Sequence, residues 1–151
     1  MIRIRKAVGA DQAAVLGLLK GLGSSQTPGE SRIQSPVATE TYRRIVADAN
    51  LGTVLVAEED GAMVGVITLS YPVSIRCGGK YTCVEEFIVS EGMRGKGVGS
   101  GLLAAAIEEA QRQGCFEIQV NNPSELGYPL YIRANMKDTG KHLKMKLADR
   151  L

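Results

Sequence analysis

The sequence predicts an α+β or mixed-sheet α/β domain. Three observations lead there. Segments that alternate apolar and polar residues outnumber segments with helical periodicity. The stretch "VLVAEEDGAMVGVITL" is two β-rich runs around Asp60-Gly61, a dipeptide suited to a tight hairpin turn. A strand, "YTCVEEFIV", runs through a glycine-rich loop into a helix and then a further strand, "CFEIQV". That last unit is a crossover, so its two strands are parallel.

The elements follow in order. "IRIRKA" alternates and reads as the first strand. Asp11 is placed to cap a helix whose apolar face is Ala14, Val15, Leu18, Leu19 and Leu22, with Gly23 ending it. Residues 24–38 are rich in turn formers and read as a loop. "TETYRRIVADA" predicts a short second helix capped by Thr39. The Asp60-Gly61 hairpin comes next, and "VSIRCGGK" reads as a loop. Residues 99–113 form the best helix, with Leu102, Leu103, Ala106, Ile107 and Ala110 on one face and Gly114 as its stop. "LYIRAN" predicts a helical turn or two, and "KHLKMKL" alternates as a last strand.

Composition excludes several functions. The 151 residues suit a single domain, 1–151. A formal net charge of +2, with Lys and Arg scattered and no Trp, argues against a nucleic-acid surface. Cys77, Cys83 and Cys115 lack metal-ligand spacing, and there is one histidine, so no metal is expected. Cys83 and Cys115 read as small core residues and Cys77, beside Gly78-Gly79, as exposed; His142 reads as a surface residue of the last strand. No apolar run approaches the roughly 20 residues of a membrane span. The odd cysteine count and the absence of a signal peptide point to the cytoplasm.

The segment "SEGMRGKGVGSGLL" carries the functional signal. Glycine lets backbone N–H groups approach a ligand closely, and a helix N-terminus adds unpaired donors and a partial positive charge. The combination cradles an anion, most often phosphate. Lys96 is followed by Gly97, which excludes a Walker A loop, and Leu102 occupies the place of the third glycine of a dinucleotide fingerprint. The kinase glycine loop lies between strands, whereas this one opens a helix.

What fits is R/Q-x-x-G-x-G/A, here from Arg94 to Gly99. In this pattern the chain resembles the GNAT superfamily of acetyl-CoA-dependent N-acetyltransferases. "IRIRKAVGADQAAVLGLL", "VLVAEEDGAMVGVITL", "VEEFIVSEGMRGKGVGSGLL" and "PLYIRANMKDTGKHLKMKL" resemble successive parts of that fold, so the resemblance covers nearly the whole chain. It implies a mixed, mostly antiparallel central sheet of about six to seven strands, splayed between the fourth and fifth, flanked by about four helices. It implies that the amides of Arg94, Gly95, Lys96, Gly97, Val98, Gly99 and Ser100 hold the pyrophosphate of coenzyme A. The main chain of Phe87, Ile88 and Val89 would then bind pantetheine and polarise the thioester carbonyl. Asn122, or its neighbour Asn121, would lie near the same arm.

Acetyl transfer needs a neutral amine, a stabilised thioester oxygen and a protonated leaving thiol. Glu85 and Glu86 stand out as candidate bases. Neighbours on a strand point to opposite faces, so one of the two is expected to be enclosed. The E-[ED]-F-[FI]-V pattern resembles that of polyamine acetyltransferases in the superfamily, and an acid four residues before the valine is Glu85, the first choice. Tyr131 lies in "LYIRAN", which resembles the family's L-Y-x-x-x-G-F, where the tyrosine stands beside the sulfur; Tyr128 is the alternative. Asn135 and Met136 replace Gly-Phe, with Asn135 able to take the left-handed cap. Residues 24–38 and 72–80 are expected to line the acceptor site. The resulting expectation is an acetyl-CoA-dependent N-acetyltransferase acting by direct attack on a primary amine of a small molecule or protein. A coenzyme A sensor on the same fold is the alternative. The acceptor, the acyl length and the oligomeric state, monomer or homodimer, stay open.

Overall fold

A computed structural model describes residues 1–23 and 32–147. The chain builds β1 (Ile2–Lys6), α1 (Gln12–Gly23), α2 (Pro36–Ala47), β2 (Gly52–Glu59) and β3 (Ala62–Ser70). It continues with β4 (Val73–Ser74), β5 (Gly79–Lys80), β6 (Thr82–Val89), α3 (Val98–Arg112), β7 (Ile118–Val120) and α4 (Tyr128–Arg133). Among the described residues the main sheet has the order β1-β2-β3-β6-β7, and β4 and β5 form a separate small hairpin. All pairings in the main sheet are antiparallel except β6 with β7.

Alternation along the strands makes three layers. Val54, Val56 and Val66 face α1 and α2, where they meet Val15, Leu19 and Tyr42. Leu55, Ala57, Ile67, Leu69 and Val84 face the other way, onto Val98, Leu102, Leu103 and Ala106 of α3 and Tyr131 of α4. Each strand of the centre therefore buries both faces, which is why "TVLVA" and "VGVITL" read as nearly continuous apolar runs. Asp60 (φ 51°) and Gly61 (φ 80°) are both left-handed, the backbone that a two-residue turn between twisted strands requires.

Several boundaries differ from the sequence reading. Asp11 does not cap α1 with its side chain; it ends a 3₁₀ turn, Gly9–Asp11, and its carboxylate accepts the Val8 N–H (2.8 Å) and two N–H groups of Arg5 (2.7 and 2.9 Å). Arg5 holds that carboxyl down at about 2. Ala14 is exposed. Helix α2 begins three residues before Thr39, because Pro36 has the φ of a first helical residue and no N–H to leave unpaired. The "VSIRCGGK" loop contains the β4–β5 hairpin, and Cys77 inside it is buried, 9% exposed. No strand forms at 141–147, and Leu143, Met145 and Leu147 are exposed there.

Helix α4 ends as anticipated. Asn135 is left-handed (φ 69°), its N–H donates to Ile132 O (3.0 Å), and the Met136 N–H donates to Tyr131 O (3.1 Å). This paired arrangement closes the last turn with asparagine in glycine's place.

Gly52 at the start of β2 tolerates no side chain. A Cβ there would lie 2.3 Å from the Leu69 carbonyl oxygen on the neighbouring strand. Gly52→Ala is expected to destabilise the fold by more than about 2 kcal/mol, read as a lowered Tm in thermal melts.

Candidate active site

The two glutamates sit at an irregularity in β6. Opposite β3, Val84 pairs with Leu69 and Glu86 pairs with Thr68, so Glu85 is an extra residue on its strand. This is a β-bulge. Its effect follows from counting. Val84 and Phe87 both pack toward α3, although three residues separate them. Glu85, next to Val84, must then face α1 and α2, and so must Glu86, next to Phe87. The expectation of opposite faces is corrected here: both acids line one cavity of about 870 Å³, within the range of small-molecule sites.

Hydroxyls of β3 hold both carboxylates. Ser70 Oγ donates to Glu85 Oε2 (2.6 Å). Thr68 Oγ1 donates to Glu86 Oε1, and the Glu86 N–H donates back to that hydroxyl (3.0 Å). The environments differ. Glu85 is exposed at the mouth of the cavity, whereas Glu86 is drawn inward. Burial pushes the Glu86 carboxyl above its ordinary 4.5, the Thr68 hydrogen bond opposes this, and the charge of Glu85 adds to the rise.

Tyr131 reaches the same cavity from the other face of the sheet. It can do so because β7 pairs only with Thr82, Cys83 and Val84 of β6, and beyond Val84 the strands part. Phe87 and Tyr131 meet edge to face across that opening, ring centroids 6.0 Å apart. The Tyr131 ring is buried, which raises its phenol to about 12 and keeps it protonated at neutral pH. Asn121 and Asn122 follow β7 into the cavity wall, Asn122 in a left-handed conformation (φ 50°) before Pro123. Tyr128 lies outside this cavity; its hydroxyl donates to Asp138 Oδ2 (3.1 Å).

The glycine-rich loop leaves the same strand at its far end. Gly95 (φ 79°) and Gly97 (φ 85°) are left-handed, and Gly97 is the N-cap of α3 without a side-chain cap. The first amides of α3 are therefore presented beyond the helix end. A Cβ at Gly95 or Gly97 would meet nothing within 4 Å, so their backbone borders open space. Gly99 serves packing instead: a Cβ there would lie 2.9 Å from Leu130 of α4. Arg94 Nε donates to the Val89 carbonyl (3.2 Å) and ties the loop to β6. Lys96 and Ser100 are exposed, and the Val98 side chain is core, so only its main chain faces outward. Phe87, Ile88 and Val89 pair with β3 on one edge and have no β7 partner on the other.

Sequence reasoning missed part of the wall. Thr41 and Tyr42 of α2, and Val15, Leu16 and Leu19 of α1, line the cavity beside Arg32. The T-L-S spacing of β3, with hydroxyls at 68 and 70, was the available signal for the residues that hold the acids. The hairpin within 72–80 does not line this cavity, and residues 24–31 lie outside the described residues. Among the described residues no group of His, Cys, Asp and Glu could hold a metal, and no helix is long and apolar enough to cross a membrane. His142 is exposed and far along the chain from these groups.

Comparison with known proteins agrees with this geometry. The sequence pattern of the acetyltransferase (GNAT) family matches residues 22–131. Glucosamine 6-phosphate N-acetyltransferase 1 of Oryza sativa subsp. japonica is 32% identical over 133 residues, covering 82% of this chain and 74% of that protein. A predicted acetyltransferase from Clostridium acetobutylicum, solved with acetyl-CoA, superposes with a TM-score of 0.81 at 22% identity, covering 97% of each chain. Glucosamine-6-phosphate N-acetyltransferase from Arabidopsis thaliana gives a TM-score of 0.79 at 17% identity, covering 98% of this chain and 99% of that one. The chain belongs to the GNAT acetyltransferase family. It is an acetyl-CoA-dependent acetyltransferase.

The raised carboxyl of Glu86 has a stability consequence with a definite sign. Its folded-state value lies above its unfolded one, so the fold loses stability as pH rises through that window. Glu86→Gln removes the buried charge and is expected to raise Tm at neutral pH, by roughly 2–4 °C for each kcal/mol relieved. The difference should vanish near pH 4, where the wild-type carboxyl is protonated in the fold. Thermal melts at the two pH values read both.

Proposed function

We propose that the enzyme acetylates the primary amine of a small polar acceptor, with an amino sugar phosphate as the first candidate. The observation that carries this reading is the cavity in which two carboxylates and a protonated tyrosine converge through the gap between β6 and β7. Its size suits one sugar-sized molecule, and Arg32, Thr41, Asn121 and Ser124 line it with groups able to take phosphate and hydroxyls. The relative at 32% identity acts on glucosamine 6-phosphate, which is such a molecule.

In this reading the acceptor arrives as an ammonium ion drawn by Glu85 at the mouth. Glu86 takes the proton, since its environment raises its basicity toward the working pH. The neutral nitrogen attacks the thioester carbon, the C–N bond forms, and the carbonyl oxygen gains charge. Main-chain donors of Phe87–Val89, unpartnered on the β7 side, are placed to stabilise that oxygen. The C–S bond then breaks, the departing thiolate takes the Tyr131 hydroxyl proton, and the acetylated nitrogen gives up its second proton to restore that hydroxyl, leaving a neutral amide and a free thiol. Gly95, Lys96, Gly97 and the first turn of α3 present main-chain donors to the pyrophosphate of the acetyl-CoA substrate, with Asn122 beside the pantetheine arm; the Arg94 N–H is already donated to the Glu91 carbonyl (3.3 Å).

Two tests separate the roles. The pH profile of kcat/KM should carry an acidic limb above the ordinary carboxylate range, and Glu86→Gln should abolish that limb and lower kcat by roughly 10²–10⁴-fold. Glu85→Gln should act mainly through the KM of the amine. The reverse assignment would follow if Glu85→Gln removed the limb. Tyr131→Phe should lower kcat with little change in the KM of acetyl-CoA.

The loop has its own test. Gly97→Val places a β-branched side chain at φ 85° where the phosphates would lie. Calorimetry with coenzyme A should show affinity lost by at least tenfold, while Tm falls only by the several degrees that about 1–3 kcal/mol of backbone strain costs. Unchanged affinity would remove this loop from the binding site.

A further inference from the structure

Helix α2 forms part of the wall of the cavity that Glu85 and Glu86 line, through Val37, Ala38, Thr41, Tyr42 and Ile45. Apolar contact seats the helix on the sheet, with Tyr42 packed among Val15, Leu19, Val54 and Val56. Such contact has no direction, so it favours burial of the helix without fixing where along the sheet it rests. Among the described residues, one hydrogen bond joins α2 to another element. The Tyr42 hydroxyl donates to the Val8 carbonyl, at 2.5 Å, in the turn between β1 and α1.

That carbonyl belongs to a chain of paired groups. It also accepts the Asp11 N–H (3.0 Å), while the Val8 N–H donates to Asp11 Oδ2 (2.8 Å). Arg5 of β1 donates to both Asp11 oxygens (2.7 and 2.9 Å), and its Nε donates to Glu58 Oε1 of β2 (2.5 Å). The path runs from Glu58 through Arg5, Asp11 and Val8 to Tyr42, from the sheet to the cavity wall. Its bonds are directional, and those of Arg5 are charge-assisted. Arg5 holds the Asp11 carboxyl at about 2, and burial pushes the Tyr42 phenol up to about 12. At neutral pH Asp11 is therefore ionised and Tyr42 keeps its proton. Glu58, Arg5, Val8 and Asp11 all lie outside the cavity lining.

We propose that Tyr42 is a positioning residue for the amine acceptor, and that the Asp11 turn is the anchor through which it works. This rests on the reading that the cavity holds the amine. A tyrosine hydroxyl has one proton to donate, and here Val8 takes it. The acceptor therefore meets the wall that Tyr42 holds in place. A wall already held spares the acceptor the cost of ordering it on binding. Acetyl-CoA gains nothing from the anchor, because its proposed contacts are the glycine-rich loop, the start of α3 and the open edge of β6.

Steady-state kinetics with acetyl-CoA and glucosamine 6-phosphate test this. Tyr42→Phe keeps the ring and removes the link. Asp11→Asn keeps the shape and turns an amide N–H toward a donor. Each is expected to raise the KM of the amine by roughly 3–10-fold, the factor that one net hydrogen bond corresponds to, with the KM of acetyl-CoA unchanged. Links in series fail together, so the double variant should raise the amine KM little further. Hydrogen exchange of the ligand-free protein gives a readout that needs no acceptor. Amides of residues 40–47 should exchange faster in all three variants, while those of α3 keep the wild-type rate. An amine KM unchanged in both single variants overturns the proposal, as does an acetyl-CoA KM that rises in step with it. An effect of Tyr42→Phe without one of Asp11→Asn overturns it too, since Tyr42 would then act on the amine itself. If the wild type leaves glucosamine 6-phosphate unacetylated, the amino sugar reading falls alone, and unchanged exchange at residues 40–47 still overturns the anchor.

Discussion

At Glu85 the ladder between β3 and β6 carries one residue without a partner, and the placement of both acids depends on it. Without that bulge, Glu85 and Glu86 would face opposite layers, one of them into the packed core against α3. An ionised carboxylate there would be costly without a partner. With it, both acids turn toward α1 and α2, and each meets a hydroxyl from β3. The bulge also resets the alternation, so that Phe87 and Val89 return to the α3 side and join the core there. A bulge beside a site is a common device for aiming a side chain, and here it aims two.

The parting of β6 from β7 is the second half of the arrangement. Pairing stops at Val84, one residue before the bulge, so the open edge of β6 starts where the acids begin. Through this opening Tyr131, rooted in the core on one face, reaches a cavity formed mainly on the other. The strand thus sets both carboxylates and the open main-chain edge within five residues, Glu85 to Val89, beside Tyr131 of α4, and it ends in the glycine-rich turn that starts α3. In the proposed mechanism this one element would order the path from phosphate to amine. The chain's membership of the GNAT family and the likeness of its fold to solved acetyltransferases agree with that layout.

Much of this was legible in the sequence, and the failures have physical causes. The hairpin at Asp60-Gly61, the helix after the glycine loop and the left-handed Asn135 depend on local chemistry, which short segments carry. The facing of Glu85 and Glu86 did not, because a bulge is a property of two strands and leaves no mark on one. The wall supplied by α1 and α2 was hidden for a similar reason: Val15 and Tyr42 look like ordinary helix-face residues until the sheet is placed beneath them. Residues 141–147 show the reverse case. Their alternation is plain, yet no strand forms within the described chain, since a strand requires an edge to pair with as well as a pattern.

The central claim is that the bulge encloses Glu86 at a cavity wall and makes it the proton acceptor. Carbon-13 titration of the glutamate side-chain carboxyls in the full chain tests this most directly, with Glu86→Gln assigning the resonance. The account predicts a Glu86 midpoint above the ordinary 4.5, because burial outweighs the Thr68 hydrogen bond. It also predicts that the midpoint moves when coenzyme A and an amino sugar phosphate are added together. A Glu86 that titrates at the ordinary value, and stays there with both ligands present, would contradict it.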